Sequence, residues 1–277
     1  MKTFSLFGHS FQLDLITIGM TWFVIALMIL MCMSVKRSLK RVPGKLQSLS
    51  ELVYEFISDI TLSTLGKKEG KRFLPFILTL FLFILLSNWI GIVPNIANLL
   101  GILIGLFHKL LGGENLPVVF EGFTQIKFMP GVSTWYSFLF NIPNFKEPTR
   151  SINTDLALAL MVFIIVHVNS ISKRGIKDYL KQYWGDVIPC HGWWLLLAPV
   201  NILMMINIIG EFSSVISHSF RLFGNIFGGF MIIAIVSSVI QHVFIPIGLS
   251  AFFGLFAGII QAFVFTMLAV VYIGQKA

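Results

Sequence analysis

The stretch Asn201-Ile-Leu-Met-Met-Ile-Asn-Ile-Ile-Gly-Glu-Phe-Ser-Ser-Val-Ile-Ser-His-Ser-Phe-Arg-Leu-Phe-Gly-Asn-Ile-Phe-Gly-Gly-Phe230 carries one arginine, Arg221, with apolar runs on both sides. These runs predict a membrane-spanning helix with Arg221 deep in the bilayer. A guanidinium at mid-membrane costs about 3 kcal/mol on insertion scales, so it has to face protein or water. It stays protonated at any biological pH, so Arg221 acts as a fixed cation.

The polar residues of this stretch share one face of the predicted helix. At about 100° per residue they fall within about a third of a turn. They are Asn207, Glu211, Ser214, Ser217, His218, Arg221, Asn225 and Gly228. Glu211 and Arg221 lie about 15 Å apart along the axis, too far to neutralise each other directly. This polar stripe is typical of an ion path with a cation at one end. The alternative is a hydrogen-bonded helix interface in another kind of membrane bundle.

The whole chain has the composition of a multi-pass membrane protein, since 56% of its 277 residues are hydrophobic and its mean hydropathy is +0.88. Its net charge is +8. The basic residues flank apolar segments without a groove-reading motif, which excludes nucleic acid as a partner. The positive-inside rule places them in the cytoplasm. The clusters are residues 36–45, 67–72 and 173–181, and Lys276. The two cysteines have no metal or redox spacing, so no metal site is predicted.

The apolar segments predict an all-α fold with five transmembrane helices in a single membrane domain, residues 1–277, with the N-terminus outside and the C-terminus cytoplasmic. The predicted spans are residues 15–33, 73–93, 154–172, 194–242 and 248–274. We expect residues 46–65 to form an amphipathic helix along the cytoplasmic interface, or, equally, to pack on a soluble partner. Residues 94–150 are expected to form a packed extracytoplasmic loop.

The last two predicted helices form an antiparallel hairpin. Residues 194–242 would measure almost 70 Å, at about 1.5 Å per residue, so this element has to tilt strongly or bend near Gly210 or Gly228-Gly229. The final helix has a face of small residues that permits close helix contact, and Gln261 is the strongly polar member of that face. The face is formed by Ala251, Gly254, Ala257, Gly258, Gln261 and Ala262.

Five blocks, in one order over more than half of the chain, resemble subunit a of the rotary F-type ATP synthases, the stator that faces the ring of c subunits. They are Asn88-Trp-Ile-Gly-Ile-Val-Pro94, Pro148-Thr-Arg-Ser-Ile-Asn-Thr-Asp-Leu-Ala-Leu-Ala-Leu160, Pro199-Val-Asn201 with Gly210-Glu-Phe212, Phe220-Arg-Leu-Phe-Gly-Asn225 with Gly228-Gly229, and Gln261-Ala-Phe-Val-Phe265 with Tyr272. The resemblance implies that Arg221 is the essential stator cation, that Gln261 packs near it, and that Glu211 lies in the cytoplasmic access channel.

The same resemblance implies two half-channels. Glu211, Ser214, Ser217 and His218 would line the cytoplasmic one, Asn225 and Gln261 would border the extracytoplasmic one, and Asp155, Gln241 and His242 are further candidates. Structural alternatives stay open: His218 and the serines as helix-packing residues, and Asp155 as an acid that interacts with a helix dipole.

The implied partners are the c-ring, the peripheral stalk subunit b, the other ATP synthase subunits and lipid. No cofactor is expected to bind stably, and the translocated ion is H⁺ or Na⁺. The implied location is a bacterial inner membrane or an organellar energy-transducing membrane.

The chain departs from the family at two positions. Many relatives carry an ionisable residue nine positions after the arginine, where this chain has Phe230, and some carry one seven positions before the glutamine, where it has Gly254. Both differences remove titratable groups from the extracytoplasmic half-channel. The coupling ion is therefore either H⁺ or Na⁺. Na⁺ is considered because it suits a wider conduit without titrating groups.

Two other classes of function fit less well. An intramembrane hydrolase with Ser217 or Ser219 beside His218 fails because adjacent helical residues point about 100° apart and no Gly-x-Ser-x-Gly elbow is present. A secondary transporter with an intramembrane Arg/Glu substrate site is the better alternative, but the two halves of the sequence lack inverted repeats. With no nucleotide-binding motif, the chain is expected to translocate ions and to have no catalytic activity alone.

Overall fold

The computed structural model describes residues 2–6, 9–92, 104, 107, 110, 118–120, 126–128, 147–184, 202–240 and 252–276. Most of these residues form five long helices. The helices are α1 Leu15–Ser38, α2 Lys45–Trp89, α3 Ile152–Trp184, α4 Ile202–Ile240 and α5 Gly258–Lys276. Each contains a segment long and apolar enough to cross a membrane, which confirms the prediction of five spanning helices.

Short elements accompany the helices, including two antiparallel hairpins that the sequence patterns did not predict. The hairpins pair β1 Lys2–Leu6 with β2 His9–Leu13, and β3 Val118–Phe120 with β4 Ile126–Phe128. A 3-10 turn, Ile90–Ile92, follows α2, and a second one, Pro148–Arg150, precedes α3. A π-helical turn, Phe252–Ala257, leads into α5.

Helix α1 begins at the predicted residue because Asp14 caps it. The Asp14 carboxylate accepts hydrogen bonds from the Ile16 amide at 3.1 Å and from the Thr17 hydroxyl at 2.9 Å, which satisfies polar groups of the first turn. The helix ends at Ser38 instead of residue 33, so its last turn includes Lys36 and Arg37. Cations at this end interact favourably with the helix dipole.

Helices α2 and α3 each break at a glycine with a backbone conformation that almost only glycine adopts. Gly66 has φ 77° and ψ 167°, and Gly175 has φ 78° and ψ 159°. The break at Gly66 separates the predicted interfacial segment, residues 46–65, from the predicted span at 73–93. The position of that segment along an interface stays a prediction. Helix α3 extends past the predicted end of its span, residue 172, to Trp184.

Helix α4 runs without an interior break from Ile202 to Ile240, including Gly210 and Gly228-Gly229. A bend near these glycines, the alternative to a strong tilt, stays a prediction. At 1.5 Å per residue the helix measures about 58 Å, against about 30 Å of bilayer hydrocarbon. The predicted tilt and the hairpin with α5 stay predictions. Residues 194–201, 241–242 and 248–251 of the predicted helices lie outside the described residues.

The chain forms two compact units. The first comprises Met1–Leu39, Leu82–Ser151 and Gly224–Ala262, and the second Lys40–Phe81, Ile152–Phe223 and Phe263–Ala277. In the first unit, Val24 and Ile84 are fully buried, and α1 contacts the turn Pro148–Arg150. The second unit has the larger set of buried apolar side chains. They include Ile77, Val162, Val166, Leu222, Phe265 and Ile273.

Candidate functional site

Arg221 lies on an exposed strip of α4. Ser217 and Gly224, one turn away on either side, are exposed as well, whereas the neighbouring Leu222 is fully buried. None of the salt bridges formed by the described residues involves Arg221. The guanidinium is thus presented outward, where a group on another molecule can reach it.

The exposed side of α4 that includes Arg221 is mostly apolar. Phe212, Ile216 and Phe220 are 63%, 52% and 56% exposed, and Phe227 further along the same strip is 40% exposed. A large exposed apolar surface of this kind marks contact with a partner or with lipid. A single cation beside it favours a partner that supplies an anion, because lipid tails cannot solvate the charge.

The residues of the predicted polar stripe differ in exposure. Ser217 and Arg221 are exposed, Glu211, Ser214 and Asn225 are partly exposed, and His218 is buried. That the stripe lines a half-channel stays a prediction.

His218 has one ring nitrogen engaged and one without a partner. Its Nδ1 lies 3.0 Å from the carbonyl oxygen of Ser214, and its ring meets Phe265 edge to face at 5.4 Å between centroids. Because a carbonyl only accepts, Nδ1 carries the hydrogen in the neutral ring and Nε2 is the acceptor. Nε2 is buried without a hydrogen-bond partner among the described residues. Both the helix-packing and the relay interpretation of His218 stay open.

Glu211 lies at the centre of a polar cluster formed by α3, α4 and α5. Its Oε1 forms an ion pair with Lys276 and accepts a hydrogen bond from the Tyr183 hydroxyl at 3.3 Å. Its Oε2 accepts a hydrogen bond from the Tyr272 hydroxyl and lies 3.7 Å from His167 Nε2. Both carboxylate oxygens are thus occupied by groups of this chain.

The aromatic members of this cluster are connected to one another. The hydroxyl of Tyr183 lies 2.8 Å from that of Tyr179 and 3.3 Å from His167 Nε2. His167 Nδ1 lies 2.8 Å from the carbonyl oxygen of Phe163 and donates to it, which leaves Nε2 as the acceptor. Burial is the main cause that raises the pKa of the Tyr183 hydroxyl. Tyr183 therefore acts as a neutral donor.

A cavity of about 440 Å³ opens beside Glu211. The side chains that line the cavity are mostly apolar or aromatic. Glu211 contributes a carboxylate and His167 an imidazole. The lining residues are Phe163, His167, Tyr179, Leu180, Tyr183, Met204, Ile208, Glu211 and Phe212. The cavity is large enough for several water molecules, since one water needs only about 30 Å³.

Gln261 and Asp155 are buried polar groups without hydrogen-bond partners among the described residues. Gln261 is 6% exposed and its Nε2 makes no hydrogen bond there. Asp155 is fully buried near the start of α3, and neither of its carboxylate oxygens has a partner in the described part of the chain. Gln241 and His242, the remaining candidates, lie outside the described residues.

Hydrogen bonds connect the end of α2 to the start of α5 and to the turn before α3. The side-chain amide of Asn88 donates to the carbonyl oxygen of Gly258 at 3.1 Å, and the Thr149 hydroxyl donates to Asn88 Oδ1 at 2.7 Å. A side chain at residue 258 would press on Asn88, because a Cβ there would lie 3.2 Å from Asn88 Cβ. This close contact agrees with the predicted small-residue face of the last helix.

Sequence reasoning did not assign Lys276, Tyr179 and Tyr183 to the Glu211 cluster. Lys276 follows Tyr272 by four positions, a helical spacing that places both on one face and was a usable signal. The two tyrosines of α3 offered no comparable signal.

Comparison with known proteins gives one consistent result. The family model of the ATP synthase A chain matches residues 18–274. The ATP synthase subunit a of Geotalea daltonii is 32% identical to the chain over 256 residues, which cover 92% of this chain and 85% of that protein.

Proposed function

The chain belongs to the ATP synthase A chain family, the ion-translocating stator subunits of the membrane sector, and from this premise we propose that Arg221 and two offset half-channels couple ion movement to rotation of a c-ring. The observation that supports the proposal most is the exposed guanidinium of Arg221 in an apolar strip, without an ion pair among the described residues.

A ring carboxylate is the anion that such a surface requires. A carboxylate crosses lipid only when H⁺ or Na⁺ neutralises it, because a bare charge there is too costly. As it meets Arg221, the attraction between opposite charges favours the ionised carboxylate, which releases its ion into one half-channel. Beyond Arg221 the other half-channel reloads the carboxylate. The fixed cation separates the two conduits, so ions pass only when the ring turns.

On the cytoplasmic side we propose that the cavity beside Glu211 is the mouth of the half-channel. Its volume of about 440 Å³ and its acid are the supporting observations. Because both oxygens of Glu211 are occupied by Lys276, Tyr272 and Tyr183, its role is to set the electrostatic potential of the mouth. His218 and Ser214 continue the polar surface toward Arg221, and Ser217 lies on the exposed strip.

On the extracytoplasmic side we propose that Asn225 and Gln261 border the second half-channel. Gln261 Nε2 is buried without a partner among the described residues, so a donor is available to an ion path. Asp155 is proposed to contribute to the same half-channel, because a buried carboxyl without partners has to be neutral or meet a cation.

We propose H⁺ as the coupling ion, with Na⁺ as the alternative. The partners are the c-ring, the peripheral stalk subunit b and the other synthase subunits. The protein is proposed to lie in an energy-transducing membrane, with its N-terminus outside and its C-terminus in the cytoplasm.

Purification of the tagged protein from its membrane tests the proposal against a secondary transporter. A stator is expected to purify with a ring of small subunits and with the ATP-hydrolysing head, and Arg221→Ala is expected to abolish ATP-driven ion pumping while the complex stays assembled. A chain that purifies alone and transports an anionic solute would support the transporter instead. Normal coupled pumping by Arg221→Ala would refute the proposed role of this residue.

A further inference from the structure

The extracytoplasmic half-channel needs a proton-carrying group that neither α4 nor α5 supplies. From Leu222 to the end of α4 at Ile240, and along α5 up to Gln275, the sequence contains no Asp, Glu, His, Lys or Arg. Amides such as Asn225 and Gln261 form hydrogen bonds but do not take up and release protons near neutral pH. A proton relay on this side therefore has to come from another part of the chain, where Asp155 and His242 are already candidates and Glu147 is a further one.

The carboxyl group of Glu147 occupies the space beside the backbone of Gly91. A Cβ atom at residue 91 would overlap Oε1 and Cδ of Glu147. The carboxyl of Glu147 thus occupies the space that a side chain on the turn after α2 would otherwise fill. With glycine at residue 91 the carboxyl fits there without moving.

Arg150 connects this carboxyl to α4. Its guanidinium carbon lies 3.4 Å from the centre of the Phe230 ring, a cation–π contact. Its backbone amide donates to the carbonyl oxygen of Glu147 at 3.1 Å, so the two residues belong to one tight turn. Glu147, Arg150 and Phe230 consequently form one cluster within the first compact unit.

The turn that carries Glu147 is held in place. Thr149 is fully buried and donates a hydrogen bond to Asn88, which in turn donates to Gly258. These bonds connect the turn to the end of α2 and to the start of α5. The backbone from which the Glu147 side chain extends therefore has a defined position.

The electrostatic environment of Glu147 suits proton transfer. Burial raises the pKa of the Glu147 carboxyl, and the positive charge of Arg150 opposes that rise. Arg150 is the charged group that acts on it among the described residues, while Gly91, Asn88 and Phe230 are uncharged. Burial also lowers the pKa of Arg150. The Glu147 side chain is still partly exposed, so water reaches a carboxyl whose ionised form is disfavoured.

We propose that Glu147 is a proton-carrying carboxyl of the extracytoplasmic half-channel, in addition to the proposed Asp155, and that Arg150 is the residue that positions Glu147. This inference rests on the proposed function. In the direction of ATP synthesis, the Glu147 carboxylate takes a proton from extracytoplasmic water and becomes neutral. It then passes that proton inward toward the ring carboxylate and returns to its ionised form. In the direction of pumping, the same proton moves outward by the reverse steps.

The test uses membrane vesicles that contain the assembled complex, with ATP-driven proton pumping measured over a range of pH. Glu147→Gln is expected to lower pumping at least about tenfold, in line with the loss of a proton-transfer group, and to remove the part of the pH profile that this carboxyl sets. Glu147→Asp is expected to retain pumping with a shifted profile. The matched control is Asp178→Asn, an exposed acid whose loss should leave pumping unchanged.

Relocating the carboxyl separates a chemical role from a structural one. The double variant Glu147→Gly with Gly91→Asp places a carboxyl in the same space from the opposite element and is expected to recover most of the pumping lost in Glu147→Gly. For Arg150→Gln, removal of the opposing positive charge raises the pKa of Glu147 further. The corresponding limb of the pH profile is expected to move to higher pH.

Wild-type pumping with an unchanged pH profile in assembled Glu147→Gln would overturn the inference. If that variant fails to assemble, the pH profile of Glu147→Asp decides, and an unmoved profile counts against Glu147. Arg221→Ala is measured in parallel. Persistent pumping in Arg221→Ala would refute the proposed function itself, whereas loss there together with normal Glu147→Gln refutes only the role of Glu147. Vesicles that accumulate Na⁺ instead of protons would overturn the inference and leave the stator function standing.

Discussion

Lys276, at the end of α5, forms a largely buried ion pair with Glu211 on α4, and their side chains are 13% and 12% exposed. The ammonium group also lies 4.8 Å from the centre of the Tyr183 ring. The acid that the sequence assigned to the cytoplasmic half-channel is therefore already paired within its own subunit. Arg221, ten residues further along α4, has no such pair among the described residues. This contrast supports the proposals that Glu211 has a fixed electrostatic role and that Arg221 meets a moving partner.

Arg221→Lys separates the charge of Arg221 from its shape. Lysine retains the positive charge but lacks the planar fork that binds a carboxylate with two hydrogen bonds. We expect at least about tenfold slower ATP-driven pumping, against complete loss in Arg221→Ala. Pumping by vesicles with equal amounts of assembled complex is the measurement. A lysine variant that pumps at the wild-type rate would show that charge alone is sufficient.

Glu211→Gln is expected to slow ion flux several-fold, because it removes the negative charge of the cytoplasmic mouth. Lys276→Gln should slow it as well, since it leaves a buried carboxylate without its cation, a change that costs about 3–5 kcal/mol in comparable pairs. The double variant should lose less than the sum of the two single variants, because the partners act together. Pumping rates of all three variants provide the comparison.

Lys181→Gln is the matched control for this pair. Lys181 also pairs with an acid, Asp178, but both side chains are about two-thirds exposed, at 65% and 67%, and exposed pairs contribute little. Unchanged flux is expected. If Glu211→Gln leaves flux unchanged too, Glu211 does not belong to the conduit.

The coupling ion is expected to be H⁺. Na⁺ binds several oxygen ligands, and the oxygens of Glu211 are occupied by Lys276 and the tyrosine hydroxyls. We therefore expect the rate of ATP hydrolysis by the assembled complex at alkaline pH to be independent of added Na⁺. Stimulation by Na⁺, with Na⁺ uptake into vesicles, would show that Na⁺ is the coupling ion.

Gly66→Ala and Gly175→Ala are each expected to destabilise the protein by about 1–3 kcal/mol, because L-residues rarely adopt φ near +77° with an extended ψ. Thermal unfolding of the purified complex measures the effect. Gly19→Ala in α1 is the control, since a Cβ there meets open space and the backbone is helical. Equal melting temperatures for all three variants would contradict this expectation.

The stability of the protein should depend on the ionisation of Glu147. Its pKa is raised in the folded protein, so its contribution to stability is full below the pKa of the unfolded chain and is lost as pH rises through the folded pKa. As pH rises from the pKa of the unfolded chain through the higher pKa of the folded protein, the melting temperature of the wild type should fall relative to that of Glu147→Gln. If the melting temperatures of the two proteins change with pH in the same way, folding does not disfavour the ionised form of the Glu147 carboxyl.

The sequence was sufficient to predict the five spanning helices, because each span is an apolar run of membrane length with basic residues beside it. It also identified Arg221, since a cation inside such a run is informative on its own. The break in α2 was visible only as a boundary between an amphipathic and an apolar segment. That both segments belong to one element interrupted at Gly66 depends on backbone torsions that sequence patterns do not give.

The contacts that complete the two candidate sites could not be predicted from local patterns. Lys276 meets Glu211, Glu147 meets Gly91, and Arg150 meets Phe230, each pair separated by more than fifty positions in the sequence. Periodicity reports which face a residue occupies on its own helix and says nothing about what faces it. For the same reason, Phe230 was interpreted as a loss of charge, although Arg150 supplies a charged group directly above its ring.

The chain of hydrogen bonds from Thr149 through Asn88 to Gly258 has a mechanical consequence in a rotary machine. The stationary part has to bear the torque of the turning part, and any elastic yielding there lets rotation proceed without delivery of an ion. These short hydrogen bonds between three segments make the region stiff, and they require only two side chains. Segments that are connected by such short hydrogen bonds transmit force with little movement relative to one another.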